Sequence, residues 1–371
     1  MTAAFLTLLA LASPHGWTLD HARQVLTGRS YSVTDTSQPD QPRYELRFSA
    51  RSLRRGFVYE GNAYDSLTAT QVPVRFTFVR PGRIVQFRGP SADTTQPAFP
   101  IRAAFYYAWY PEAWWRDPVF PYSLYHPSLD YYSAVDAHVV RGHTDALLYA
   151  HLAAGIYSWW GTDGYPPTDL RFWRYLAAAR TTPLRWALYY EREGYGDPSV
   201  ATIRADLEYI RDEYASQPAY LKVDGRFVVY VYGDPNDGCA TAARWREANT
   251  VGAYIVLKAF AGFRDCAAQP DAWHQYSAAL PEYDLLPDSF MVAPGFDERG
   301  EGAPRLPRDV ARWRADVTDM VASDARWQLV LSFNEWPEGT SVESAREWAT
   351  PSGYGAYLDV LHELVPISVG R

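Results

Sequence analysis

Leu329-Val330-Leu331-Ser332-Phe333-Asn334-Glu335-Trp336-Pro337-Glu338-Gly339-Thr340 is an apolar, β-prone run that passes directly into two carboxylates three residues apart. A strand that ends in a polar, turn-rich mouth is where an α/β barrel keeps its chemistry. On a continuing strand, side chains at i and i+3 face opposite ways. Pro337 ends the strand, so both acids can turn into the mouth. Taken alone, the segment reads equally as a helix N-cap with acidic neighbours, because acids gather in first helical turns. The pattern in the rest of the chain decides between the two.

Upstream, from residue 100, strand-like runs alternate with helical stretches, as βα units around a parallel sheet do. The strands read as Arg102 to Trp109, Ile156 to Trp160, Leu184 to Tyr190, Phe227 to Tyr232, Tyr254 to Phe260, Trp273 to Tyr276, Phe290 to Ala293 and Gln328 to Phe333. Helical periods fall at Ser133 to Ala154, Asp169 to Arg180, Ser199 to Gln217, Ala240 to Ala248, a stretch capped by Pro307 and ending at Ala322, and Tyr354 to Leu364. Eight strands with intervening helices over about 270 residues predict a (β/α)8 TIM barrel spanning 99–371.

Residues 13–98 differ. Tyr44 to Phe48, Phe57 to Tyr59, Val72 to Phe78 and Ile84 to Phe87 alternate in the β manner, with Pro81-Gly82 as a hairpin turn between the last two. They predict a small all-β segment, joined by a linker at 89–97. Residues 1–12 read as a signal-peptide core with Ala10-Leu11-Ala12 as its cleavage site, although no basic stretch precedes it; an ordinary buried helix is the alternative. Export, to a secreted or cell-surface location, is the expectation. The stretch is too short to span a membrane, and no integral membrane segment is expected.

Composition narrows the function. Net charge is −8, and no Lys/Arg run interleaved with aromatics occurs, which argues against a nucleic-acid partner. The chain holds 14 Trp and 28 Tyr, far above ordinary usage. Aromatic faces stack on the apolar faces of sugar rings, while indole and phenol groups bond the hydroxyls. These residues recur at the expected strand ends: Tyr107 and Trp109, Trp159 and Trp160, Tyr190 beside Glu191, Tyr232, and Asn334 with Trp336. An aromatic basin with acids at its floor predicts an oligosaccharide or polysaccharide partner. Two carboxyl groups at one mouth, Glu335 and Glu338, are the minimum for cleaving a glycosidic bond. Asp234 and Asp237 read as turn formers, and His126 as a hydrogen-bonded loop residue.

Cys239 and Cys266 are the only cysteines and cannot make a metal site alone; neither a metal nor a cofactor is expected. Each follows an apolar strand and a Gly/Asp-rich loop. If those strands are neighbours, a disulfide can pin the loops; two unpaired buried thiols are the alternative.

The set Phe105-Tyr106-Tyr107-Ala108-Trp109-Tyr110, Ser158-Trp159-Trp160-Gly161, Ala293-Pro294-Gly295-Phe296-Asp297 and Ser332 to Glu343 resembles glycoside hydrolase family 99, in the same motif order. The resemblance covers residues 101–365 and implies an endo-acting α-mannosidase or α-mannanase relative on a (β/α)8 barrel. It implies that Glu335 removes the proton of the sugar 2-OH, so that this oxygen attacks the anomeric carbon. Glu338 then protonates the leaving oxygen and later activates water, and Glu191 binds substrate hydroxyls. Pro337 stands where the family has histidine. Tyr189-Tyr190-Glu191-Arg192-Glu193 and Tyr232-Gly233-Asp234-Pro235 also depart from the family pattern, so the choice of sugar is not carried over. Two other readings remain at this stage: a non-catalytic carbohydrate-binding barrel, and a barrel associated with cell-wall or polysaccharide biosynthesis. No Gly-rich phosphate loop supports a nucleotide-sugar transferase.

Overall fold

The computed structural model describes residues 30–34, 44–49, 58–65, 70–80, 84–88 and 92–367. The expected signal segment 1–12 and the Pro81-Gly82 turn lie outside the described residues.

The chain forms two compact units. In the first, β1 (Ser30–Thr34), β2 (Tyr44–Ser49), β3 (Val58–Asp65), β4 (Thr70–Arg80) and β5 (Ile84–Arg88) pair in sequence order as an antiparallel sheet.

The second unit is a (β/α)8 barrel. Its parallel strands are β6 (Ile101–Tyr106), β7 (Ala154–Trp159), β8 (Arg185–Tyr190), β10 (Arg226–Val231), β11 (Tyr254–Lys258), β12 (Ala272–His274), β14 (Ser289–Val292) and β15 (Trp327–Val330). A two-residue strand, β9 (Lys222–Val223), pairs antiparallel with β10. The helices are α1 (Ala137–Tyr149), α2 (Thr168–Ala179), the single turn α3 (Glu193–Gly196), α4 (Val200–Glu213), α5 (Cys239–Ala248), α6 (Val310–Ala322) and α7 (Ala356–Leu364). Asp136, Ser199 and Asp309 cap α1, α4 and α6 by accepting from backbone N–H groups of the first turn. The cap of α6 is therefore Asp309; Pro307 lies before it and cannot supply an accepting side chain.

Two of the eight units depart from the expected strand–helix alternation. A 3-10 turn at Phe263–Asp265 connects β11 to β12. An extra strand, β13 (Glu282–Leu285), pairs antiparallel with β14 on its free edge. No ladder joins β12 to β14 among the described residues; the Ser277 N–H meets the Met291 sulfur at 3.4 Å across that seam.

Strand alternation sorts the side chains into two cores. Ile101, Ala103, Phe105 and Tyr107 of the first strand and its continuation point into the barrel, as do Ile156, Tyr189, Tyr230 and Val256. Ala104, Tyr106, Tyr157, Trp159, Leu188 and Tyr190 point outward beneath the helices. Both faces are buried, which explains the near-continuous apolar runs. Gly155 lets Trp186 lie flat against β7, since a Cβ there would meet the indole at 2.2 Å.

The Sγ atoms of Cys239 and Cys266 are bonded, joining the start of α5 to the loop after β11. The cysteines are 27 residues apart. Loop-closure entropy for that span corresponds to about 3.5 kcal/mol. Reduction, or the Cys239→Ser/Cys266→Ser double substitution, should lower stability by roughly 2–4 kcal/mol in urea unfolding. An unchanged midpoint would show that the bridge constrains nothing.

Candidate active site

After β15 the chain runs out through Ser332 and Phe333 and returns through Thr340 to Glu343. The limbs are zipped by Ser332 N–H to Thr340 O, Val342 N–H to Ser332 O and Glu343 N–H to Phe333 O at 2.9–3.0 Å. Glu335 to Gly339 form the tip. Gly339 has φ +61°, and a Cβ there would stand 2.7 Å from the Asp297 carbonyl, so the tip turns tightly only because this residue is glycine. The Ser332 hydroxyl accepts from the Glu335 N–H at 2.9 Å and bonds Thr340 Oγ1 at 2.8 Å. The Asp297 N–H donates to the Glu338 carbonyl at 2.9 Å, tying the loop after β14 to the tip.

Glu335 is only 4% exposed. Its Oε2 accepts from the Tyr276 hydroxyl at 2.8 Å, and the Tyr107 and Tyr276 oxygens lie 2.5 Å apart. Glu338 is partly buried on the same tip. Glu191, at the end of β8, is buried, with the Ser158 hydroxyl beside it. Ser158 Oγ also accepts from the indoles of Trp109 at 3.1 Å and Trp160 at 3.2 Å, fixing both rings.

The rings beside these acids form a continuous circuit of contacts. Tyr107 packs on Trp109 with centroids 4.4 Å apart, Trp109 on Trp160 at 6.5 Å, and Trp160 on Tyr195 at 4.8 Å. Tyr195 meets Tyr232 at 5.8 Å and Tyr232 meets Tyr276 at 5.6 Å. The Tyr276–Tyr107 hydroxyl contact closes it. Lys258, inward at the end of β11, lies 4.3 Å from the Tyr232 ring centroid and donates to the Gly233 carbonyl at 2.8 Å.

The site holds protons tightly. Burial, with Glu338 alongside, keeps the Glu335 carboxyl well above the ordinary range, while hydrogen bonds from Tyr276 and Tyr107 oppose the shift. Burial pushes Glu338 up to about 7, with Glu298 adding to the effect and Arg305 opposing it. Burial pushes Glu191 up to about 8 against the pull of Ser158 and Lys258. Burial also raises the phenols of Tyr107 and Tyr276, so both remain donors at neutral pH. Carboxyls with displaced proton affinities are what general acid–base work requires.

The raised Glu191 has a stability consequence. The native state keeps a proton here that the unfolded chain releases near pH 4.5, so stability falls as pH rises from there to about 8. Glu191→Gln removes this loss. It should match the native protein at pH 5 and exceed it by about 2–4 kcal/mol at pH 8.5. Equal differences in unfolding free energy at both pH values would rule this out.

Several expected wall residues stand elsewhere. Trp159 is fully buried on the outer face of β7 and donates its indole N–H to Asp169 at 2.7 Å. Tyr190, also outward, donates to Asp206 at 2.7 Å and packs on Trp245. Alternation decides both, since each neighbours an inward residue, Trp160 and Glu191 respectively. Asn334 is buried and clamps the Tyr107 backbone, accepting from its N–H and donating to its carbonyl, each at 2.8 Å. Trp336 turns outward and donates to Glu343 at 3.0 Å. These four cannot touch a ligand in the mouth; Asn334 and Trp336 support the turn from behind. Tyr107, Trp109, Trp160, Tyr232, Glu191, Glu335 and Glu338 do come together.

Tyr276, Tyr195, Ser158 and Lys258 were not foreseen. The inward period Ala272, His274, Tyr276 was a readable signal for the first, and Ile156, Ser158, Trp160 for the third. Asp234 and Asp237 form a loop turn, with Asp237 accepting from the Asp234 N–H at 2.7 Å. His126 sits at the surface against Glu347. Glu193, Asp197 and Asp237 cluster closely enough to hold a cation, but Arg244 pairs with the first two and Thr241 donates to the third. Among the described residues no helix is long and apolar enough to cross a membrane.

No family model and no curated protein matches this sequence. Solved structures do share the fold. The chain is similar to the family 99 glycoside hydrolase endo-α-mannosidase from Bacteroides thetaiotaomicron, with TM-score 0.59 at 20% identity over 72% of this chain and 97% of that one. A second structure of that enzyme gives 0.58 at 18% identity over the same shares. A glycoside hydrolase-like protein gives 0.52 at 16%, covering 74% of this chain and 95% of its own. At these identities the likeness establishes the barrel fold.

Proposed function

We propose that this protein is a glycosidase that hydrolyses an α-linked glycan, cutting within the chain as the endo-α-mannosidases of the same fold do. One observation carries the reading: six aromatic side chains linked in one circuit of contacts stand beside Glu191, Glu335 and Glu338, with the last two on one turn. The ring offers stacking faces to a sugar, and the acids offer the proton transfers its cleavage needs.

Glu335 takes the proton of the sugar 2-OH, and the freed oxygen attacks the anomeric carbon. Glu338 gives its proton to the departing glycosidic oxygen. Glu338 then takes a proton from water, whose oxygen opens the bicyclic sugar at the anomeric carbon, while Glu335 gives its proton back to the 2-oxygen. Two inversions leave the configuration retained. The two acids share protons as a coupled pair, so substrate decides which one is ionised. Donation from Tyr276 and Tyr107 favours the charge on Glu335, and Glu338 stays the acid. The pair works with one proton between the two acids, so rate should rise as the first proton leaves, near pH 7, and fall at higher pH as the second leaves.

Release of reducing ends from linear α-mannan, α-glucan and α-galactan, scored by product size, tests the reading. Short oligosaccharides released from at least one polymer are expected. Binding without release across all three would instead establish a non-catalytic carbohydrate-binding barrel.

A further inference from the structure

Among the described residues, the exposed aromatic side chains are Trp115 (62%), Phe120 (44%), Tyr165 (80%) and Tyr195 (66%). Trp115, Phe120 and Tyr165 lie on loops that follow β6 and β7, and Tyr195 on α3 after β8, all at the C-terminal ends of the strands; among the described residues the opposite end of the barrel exposes none. Singly exposed apolar residues need no explanation, but confinement to the face that carries the acids does.

Trp115 and Phe120 form a built feature. The Arg116 and Val119 backbones exchange N–H to O bonds of 3.1 and 2.7 Å, making a small hairpin with Tyr122 N–H to Trp114 O at 2.8 Å behind it. Across this hairpin the two rings stack with centroids 4.5 Å apart and planes 30° from parallel. Trp114 anchors its base from the core, donating to the Tyr132 carbonyl at 2.8 Å.

The hairpin is fastened to the loop that adjoins the acid turn. Arg116 and Tyr122 donate to Glu298 at 2.8 and 2.9 Å, and Arg299 donates to the Ser123 carbonyl at 3.0 Å. Asp297, in the same loop, holds the Glu338 backbone. Glu298 is near enough to Glu338 to act on its proton. The shelf thus continues from the acid turn on the Glu338 side, where the leaving part of a glycan would extend.

We propose that Trp115 and Phe120 form a stacking platform for the leaving-side arm of a polysaccharide, so that this protein selects long chains over short ones. The inference rests on the glycosidase reading. A glycan is the favoured occupant because the platform continues an aromatic, acid-bearing mouth and presents ring faces with polar neighbours, as carbohydrate stacking requires.

The test uses the full chain carrying Glu338→Gln, with and without Trp115→Ala, and affinity electrophoresis in linear α-mannan, α-glucan and α-galactan. The corresponding tetrasaccharides are titrated in parallel. Trp115→Ala should weaken polymer binding about tenfold and tetrasaccharide binding less than twofold. Trp115→Phe, which keeps a ring, should restore most of the loss. Equal effects on polymer and tetrasaccharide, or none on either, would overturn the platform while leaving the glycosidase reading intact. Failure of all three polymers to bind would overturn both.

Discussion

Glu338→Gln is expected to lower α-glycan hydrolysis by about 10³-fold, within the range that general acid–base catalysis contributes. Glycan binding should stay within about threefold of the native protein, because the amide keeps the shape of the turn and a hydrogen-bonding side chain. Two further readouts separate a lost proton donor from a damaged site. The native rate should fall at alkaline pH, once the raised pair has lost its second proton, and the variant should lack that alkaline limb. An aryl glycoside whose leaving group needs no proton should lose far less rate in its cleavage step than a natural glycan. If the variant loses both substrates equally, or loses binding, Glu338 is not the acid.

Glu343→Ala is expected to destabilise the barrel by about 3–5 kcal/mol, the cost of leaving a buried partner unpaired. Glu343 Oε1 meets His143 Nε2 at 3.0 Å, and Oε2 accepts from the Tyr132 hydroxyl at 2.8 Å and the Trp336 indole at 3.0 Å. Both members of the pair are almost fully buried. The direction of the chain fixes its protons. Tyr175 donates to the Ala134 carbonyl and Tyr106 donates to Tyr175, so the Tyr106 oxygen accepts from His143 Nδ1 at 2.6 Å. His143 Nε2 and Glu343 must then hold one more proton between them, as an imidazolium–carboxylate or a neutral pair. Removing Glu343 strands the histidine, Trp336 and Tyr132 behind the acid turn. Glu343→Gln keeps an acceptor for Trp336 and should recover most of the loss in thermal or urea unfolding. Equal losses for Ala and Gln would mean that packing, not the network, is what matters.

The barrel was legible because its strands are buried on both faces and its helices are amphipathic, so each element announced itself locally. The acid turn was legible for a related reason: Pro337 and Gly339 mark where β15 cannot continue. Which neighbour in a doublet faces the mouth was harder. Trp159-Trp160 and Tyr190-Glu191 each offer two candidates, and only the register set by Ile156 and Tyr189 inside the barrel chooses between them. Trp336 faces outward because its indole answers Glu343, whose own partner His143 is 200 residues away. No local pattern encodes such a pairing. The period that turns Tyr276 inward is short, because β12 is three residues long and no helix follows it to mark the unit.

A crystal structure of the Glu338→Gln protein with an α-linked oligosaccharide chosen from the polymer it binds tests the central claim most directly. The expected result is a sugar ring held within the circuit of Tyr107, Trp109, Trp160, Tyr195, Tyr232 and Tyr276. Its 2-OH should lie within hydrogen-bond distance of Glu335, and the scissile oxygen within reach of the side chain at 338. A glycan bound outside the circuit, or inside it with the scissile bond away from both side chains, would contradict the assignment of the pair.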